Sequence, residues 1–182
     1  DDDGFIDANH WLFTARGIPA VYYGSEVGFE RGRAEHRGNR NSFGQDRIDA
    51  APRSPIHQAL ARIANLRART PALQRGLQLD LELQGDRAAF YRVLQHDGTN
   101  QIALVMLNKG DAPARFDIGD LLEAGRWREA VAGGEAVVAT DGSLASQVPA
   151  HGVRVWLRDG PVTRADLRAR IAQAMAAARG VN

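Results

Sequence analysis

From Gly76 onward the chain follows a single pattern. Residues 77–83, LQLDLEL, alternate Leu with Gln, Asp and Glu. Strict alternation of this kind presses one face of a strand on a core and leaves the other in water. The turn Gly85-Asp86 separates this run from AAFYRVLQ, and a second turn, HDGTN, leads to QIALVMLN at Gln101–Asn108. Further strand-like runs occupy Ala114–Ile118, Arg126–Ala130, Ala136–Ala139 and Val153–Leu157. Turn signals recur about every 8–12 residues, the rhythm of an antiparallel sandwich.

Before Gly76 the pattern is different. Residues 3–16 read as a helix: an Asp of the opening triplet can cap it, and Phe5, Ile6, Leu12 and Phe13 fall on one arc. Gly17 suits a left-handed C-terminal residue, and Pro19 prevents continuation. Ile18–Gly24, IPAVYYG, is then expected as a short strand buried on both faces, as in a parallel sheet. Helix, turn and buried strand together are α/β syntax. Residues 25–54 are rich in Gly, Arg, Asn and Asp and show no sustained period. A stretch of that length is uncommon in a compact domain and is usually functional or disordered. Ser54 is placed to cap a second helix with Pro55 at its first position. Ile56, Leu60, Ile63, Leu66 and Arg67 hold its spacing, and Pro71 ends it.

The tail is helical again. Thr163 can cap it, with Asp166 at capping-box spacing. Leu167, Ile171, Ala174 and Met175 give a narrow apolar stripe, which favours a surface helix docked on the sandwich over a membrane-surface or partner helix. Three domains are expected: 1–72, 73–159 and a helical tail, 160–182.

Composition narrows the function classes. A net charge of +1 provides no field for nucleic acid or anionic membrane, so neither is an expected partner. Lys109 is the only lysine, a bias that fits a GC-rich bacterial genome. There is no cysteine, which excludes a disulfide framework and a thiolate zinc site. No apolar run approaches the roughly 20 residues of a membrane helix. The opening DDDGFID is acidic and lacks an initiator Met, and it reads as a chain entered midway.

The segment TARGIPAVYYGSE, Thr14–Glu26, resembles the passage from the seventh helix to the eighth strand of the catalytic barrel in the α-amylase family, glycoside hydrolase family 13. HRGNRNSF, His36–Phe43, is similar to the Asn-Arg loop after that strand, and SPIHQALARIANLRARTPALQRG, Ser54–Gly76, to the eighth helix and its exit. AAFYRVL, QIALVMLNK and VPAHGVRVWL fall in the order of the family's domain C. The resemblance covers about residues 5–158. Among subfamilies the pattern looks like that of cyclodextrin glucanotransferases and related bacterial amylases. It implies the last helix-strand-helix of a (β/α)₈ barrel, then an all-β antiparallel Greek-key sandwich, then a short helix. A whole barrel needs about 250 residues, so the resemblance also implies a missing N-terminal barrel segment as partner and an α-1,4-glucan as substrate. It points to a bacterial parent, secreted or periplasmic rather than cytoplasmic.

Retaining chemistry on glucans needs a nucleophilic carboxylate and an acid/base carboxylate about 5–5.5 Å apart. The family draws these from strands four, five and seven, which the resemblance places before residue 1. No catalytic residue, cofactor or metal ligand is therefore expected here, and calcium, where the full-length parent uses it, is expected on upstream residues. FIDANHWLF, Phe5–Phe13, looks like the family's Phe-x-x-Asn-His-Asp motif, yet only Thr14 and Ala15 stand between it and Arg16. It must itself be the seventh helix, with packing roles for Asn9 and His10. Sugar contact is expected from the long loop: Arg40 at the family's arginine position, with Glu35, His36 and Asn39 as the other candidates. His36 stands where glucanotransferases have an Asp. The competing reading of Arg40 is an ion pair with Asp46 or Asp49. Glu26 is expected to fix the loop, Tyr22 and Tyr23 to pack in the barrel, and Trp127 and Trp156 to fill the core. If the two tryptophans were instead stacking platforms, the chain would be a non-catalytic carbohydrate-binding or structural module.

Overall fold

A computed structural model describes residues 2–29 and 42–179. Five α-helices are seen among them: α1 (Asp2–Thr14), α2 (Gln45–Ala50), α3 (Pro55–Ala68), α4 (Pro71–Arg75) and α5 (Ala165–Arg179). The strands are β1 (Leu77–Gln84), β2 (Arg87–His96), β3 (Thr99–Asn108), β4 (Ala114–Ile118), β5 (Gly125–Glu129), β6 (Glu135–Val138), β7 (Leu144–Val148) and β8 (Gly152–Asp159). Six of them form one antiparallel sheet in the order β1-β2-β3-β8-β5-β6, while β4 and β7 pair as a separate two-stranded ribbon.

The central strands are apolar on both faces because both faces are covered. On one side Tyr91, Ile102, Leu104, Met106 and Trp156 pack with Phe116, Leu144 and Val148 of the ribbon and Leu167 of α5. On the other side Phe90, Val105, Val153 and Val155 pack with Ala15, with Ile63 and Leu66 of α3, and with Leu73 of α4. This explains why QIALVMLN does not alternate whereas LQLDLEL, on an edge, does. The β2–β3 hairpin closes on Asp97 and Gly98, both with positive φ, which matches the twist of the strands it joins.

Ser54 caps α3 as its spacing predicts, accepting the His57 N–H, with Pro55 at the first position. Pro71 does more than end that helix: it opens α4, where a missing N–H costs nothing. Within 25–54 the described residues are more structured than their composition suggests, with 3₁₀ turns at Ser25–Val27 and Ala51–Arg53 and the helix α2.

The expected strand at Ile18–Gly24 does not form. The segment runs as coil into a turn, and Ile18 is 94% exposed. A parallel strand needs neighbours to take its N–H and C=O groups. Among the described residues none pairs with this segment, so apolar content alone leaves it extended in water. The parallel α/β element of the expected fold is therefore absent among the described residues, and the architecture is a helical layer on an antiparallel sheet, with the ribbon and α5 behind.

The tail helix docks on the sheet as expected, burying Leu167 with Ile171 and Ala174 against the core. Its cap differs from the expected box. The Thr163 hydroxyl donates to Glu123 Oε2 at 2.7 Å, and the backbone N–H groups of Thr163 and Arg164 donate to Glu123 Oε1 at 2.6 and 2.7 Å. A carboxylate from the β4–β5 connection thus supplies the acceptor that the sequence assigned to Thr163.

Candidate functional site

The expected sugar-binding side chains, Glu35, His36, Asn39 and Arg40, lie outside the described residues. The described residues on either side form the stem of that segment. Gly24 sits at φ 80, and its carbonyl accepts from Val27 N at 3.2 Å and Phe29 N at 2.8 Å. A Cβ added to Gly24 would stand 2.6 Å from the Phe29 Cβ, so the turn needs glycine for both φ and space. Gly28 faces Ile56 of α3 with similar closeness, 2.8 Å from its Cδ1 to an added Cβ.

Three rings close the stem. The Phe29 and Phe43 centroids are 4.8 Å apart, and Tyr23 meets each edge-on at 5.9 Å. The Arg47 guanidinium lies over the Phe29 ring, 5.3 Å from its centroid. Phe29 and Phe43 are thus held side by side. Tyr22 and Tyr23 are 56% and 48% exposed, so the expected barrel packing is not what these rings do here. Tyr23 packs on the stem, and Tyr22 faces outward.

Two buried arginines set where the stem begins. Arg67 Nη1 donates to the Phe13 and Ala15 carbonyls at 3.0 and 3.3 Å, and Nη2 to the Gly17 carbonyl at 2.6 Å. Arg92 Nη1 donates to the Thr14 carbonyl at 2.7 Å, while its Nε and Nη2 both reach the Gly76 carbonyl, at 3.1 and 3.0 Å. Both guanidiniums use carbonyls at the C-terminal end of α1, where the helix dipole is negative. Burial, with Arg67 nearby, pulls the Arg92 guanidinium down to about 10, and burial lowers Arg67 as well. Both therefore stay charged at neutral pH. Arg16 N adds a hydrogen bond to Gln78 Oε1 at 2.8 Å. The sequence did contain a signal for this pair: Arg92 interrupts the apolar run AAFYRVLQ, and Arg67 falls on the buried stripe of α3.

Asn9 is buried in α1, in keeping with its expected packing role. His10 packs beside Ile63 and Leu66 of α3, and burial, then the Arg62 charge, pulls its imidazole down to about 4, so the ring is neutral. Trp127 and Trp156 belong to the core. Trp127 is 0% exposed and donates Nε1–H to the Glu123 carbonyl at 2.9 Å, and Trp156 reaches Ser146 Oγ at 3.3 Å. Neither indole face is available to a sugar.

The chain is 33% identical over 110 residues to a cyclomaltodextrin glucanotransferase of Klebsiella oxytoca, covering 54% of this chain and 15% of that protein. The chain is related to the α-amylase family, glycoside hydrolase family 13. The same fold occurs in the Geobacillus thermoleovorans α-amylase solved with acarbose (TM-score 0.70, 24% identity, 86% of this chain and 33% of that one). It occurs also in a γ-cyclodextrin glucanotransferase of an alkalophilic Bacillus clarkii (TM-score 0.61, 23% identity, 88% and 24%). No family model matches the chain. The α-amylase-family relatives are longer: the chain spans a third or less of these solved structures and 15% of the curated relative.

Proposed function

We propose that this chain is the C-terminal portion of an α-glucan-acting retaining glycoside hydrolase or transglycosylase of the α-amylase or cyclodextrin glucanotransferase type. The 33% identity over 110 residues to a glucanotransferase carries the reading. In it, residues 1–72 close the catalytic barrel, 73–159 form the Greek-key domain C, and 160–182 are an added tail. Glu35, His36, Asn39 and Arg40 are the residues assigned to contact with an α-1,4-glucan. Arg40 offers a planar fork of donors to sugar hydroxyls.

The catalytic pair comes from the preceding part of the barrel, which is the partner this chain needs. Two features support that assignment. The buried carboxylates Glu123 and Glu129 are already engaged: Glu123 caps α5, and Glu129 accepts from the backbone N–H groups of Val131, Ala132, Gly133 and Val155. Both serve the fold, buried among the backbone groups they hold. The outer side of α1 also carries exposed Phe5 and Trp11, with a groove of about 730 Å³ between α1 and the β1–β2 turn lined by Trp11, Leu12, Leu83 and Leu107. An apolar surface of this kind suits burial against further protein.

The test is an assay of this chain on maltoheptaose, where no turnover is expected. Hydrolysis that disappears when one of the chain's own carboxylates is changed to its amide would overturn the reading. The reading frame upstream of Asp1 is expected to encode strands one to seven with three catalytic acids.

A further inference from the structure

His151 sits in the turn between β7 and β8 at φ 48, a left-handed conformation uncommon for a residue with a Cβ. Its ring lies between two carboxylates from distant parts of the chain. Nδ1 is 2.8 Å from Asp7 Oδ2 of α1, and Nε2 is 3.0 Å from Asp111 Oδ1 of the β3–β4 turn. The His151 backbone N–H donates to the Gly110 carbonyl at 3.3 Å, so the two turns already touch.

An ionised carboxylate only accepts hydrogen bonds, and a neutral imidazole has a single N–H. Both contacts are hydrogen bonds only if the ring carries two protons. A neutral ring would turn one lone pair toward a carboxylate oxygen at hydrogen-bond distance.

We infer that His151 is a pH-operated clasp: as imidazolium it ties α1 to two turns of the sheet, and as neutral imidazole it keeps one carboxylate and releases the other. The two carboxylates are unequal. The Asp7 side chain is largely covered, whereas Asp111 is fully exposed. Water replaces the ring at Asp111 far more readily than at Asp7. Deprotonation therefore leaves Nδ1–H on Asp7 and frees the β3–β4 turn. The groups acting on the ring are Asp7 and Asp3 from α1 and Asp111 from the β3–β4 turn. Lys109 of that turn is paired with Asp86 at 3.2 Å.

The hydrogen bonds to Asp7 and Asp111 hold the imidazole above its ordinary range, with burial acting the other way. For a base raised in the folded state, the stabilisation is complete below the unfolded pKa of about 6.5 and is lost as pH rises through the folded one. The clasp is thus shut in mildly acidic solution and opens on the alkaline side. This holds whether or not the chain acts on glucans, because it rests only on α1 and two sheet turns.

The experiment is an NMR titration of the imidazole resonances of the whole chain, with His151 assigned by its loss in His151→Gln. The His151 midpoint is expected above 6.5, with the Gly110 and Asp111 amide shifts following the same midpoint. Asp7→Asn and Asp111→Asn should each move the midpoint down. In Asp111→Asn the new amide can donate to the neutral ring, so the Gly110 amide should lose its pH response. A wild-type midpoint at or below 6.5, or one unmoved by either aspartate substitution, overturns the clasp. Because the wild-type titration alone can refute it, poor folding of a variant leaves the test intact.

Discussion

Arg92 Nη1 donates to the Thr14 carbonyl across 2.7 Å, joining the middle of β2 to the last residue of α1 over 78 positions of sequence. The same guanidinium holds the Gly76 carbonyl, where α4 gives way to β1. One side chain therefore fixes the end of the first helix and the start of the sheet in a single frame. Arg92→Met would keep most of the packing volume but leave two buried carbonyls without donors. It is expected to cost about 2–4 kcal/mol in urea unfolding, since hydrogen bonds to charged groups and orphaned buried acceptors are each worth about 1–3 kcal/mol. Arg92→Lys keeps the charge without the fork and should cost less than Met yet still be measurable.

Gly24 is constrained by a neighbour as well as by φ. At φ 80 with the Phe29 Cβ 2.6 Å from where a methyl would go, Gly24→Ala must either shift the Phe29 backbone or abandon the turn. A loss of about 1–3 kcal/mol is expected, the usual cost of a residue forced into a sparsely populated conformation. The effect should be local. Ring shifts of Tyr23, Phe29 and Phe43 should change in NMR spectra while those of Phe90 and Phe116 in the sheet stay put. Gly85→Ala, at φ 59 with open space around it, serves as the control that separates crowding from φ alone.

These residues show what the sequence made legible and what it did not. Alternation and turn spacing located seven of the eight strands because their apolar residues face cores directly. β7 escaped because LASQV has only Leu144 and Val148 as apolar anchors, and Ser146 between them meets the Trp156 indole. Ser54-Pro55 read correctly because capping is local chemistry. The Thr163 cap did not, because its acceptor, Glu123, comes from 40 positions away. Ile18–Gly24 has the composition of a strand, but a strand depends on pairing partners that composition does not contain. The aromatic stem was half visible: Tyr23 stood out in the Tyr-Tyr-Gly run, but nothing local says that Phe29 and Phe43 meet it.

Glu123 should give the tail helix an acid limit. Burial pushes its carboxyl up, but hydrogen bonds from Arg164 N, Thr163 Oγ1 and Thr163 N outweigh this and hold it below the ordinary range. For an acid lowered in the folded state, stabilisation is present above the unfolded pKa and is lost as pH falls through the folded one. α5 should therefore detach before the sheet unfolds as pH drops below about 4.3, the ordinary glutamate value. Amide exchange of residues 165–171 would report this, compared with that of β3. Glu123→Gln should weaken α5 at neutral pH and flatten the acid response; an acid response identical to wild type would show that another group governs the tail.

Trp127 separates a folding role from a binding role. Its indole is wholly buried, it donates to the Glu123 carbonyl at 2.9 Å, and it shares a core with Phe116, Leu122 and Val138. Removing so large a buried ring typically costs about 3–5 kcal/mol through lost transfer energy and an unfilled cavity. Trp127→Ala should therefore lower the urea midpoint sharply and loosen the Glu123 cap on α5 at the same time, because the indole holds the Glu123 backbone. Trp127→Phe retains part of the volume and should recover part of the loss. In calorimetric titration with maltoheptaose, neither variant should differ from wild type at temperatures where both remain folded. A glucan affinity that falls in Trp127→Phe while the unfolding midpoint holds would reassign this residue from the core to a sugar platform, and the sheet from a scaffold to a carbohydrate-binding module.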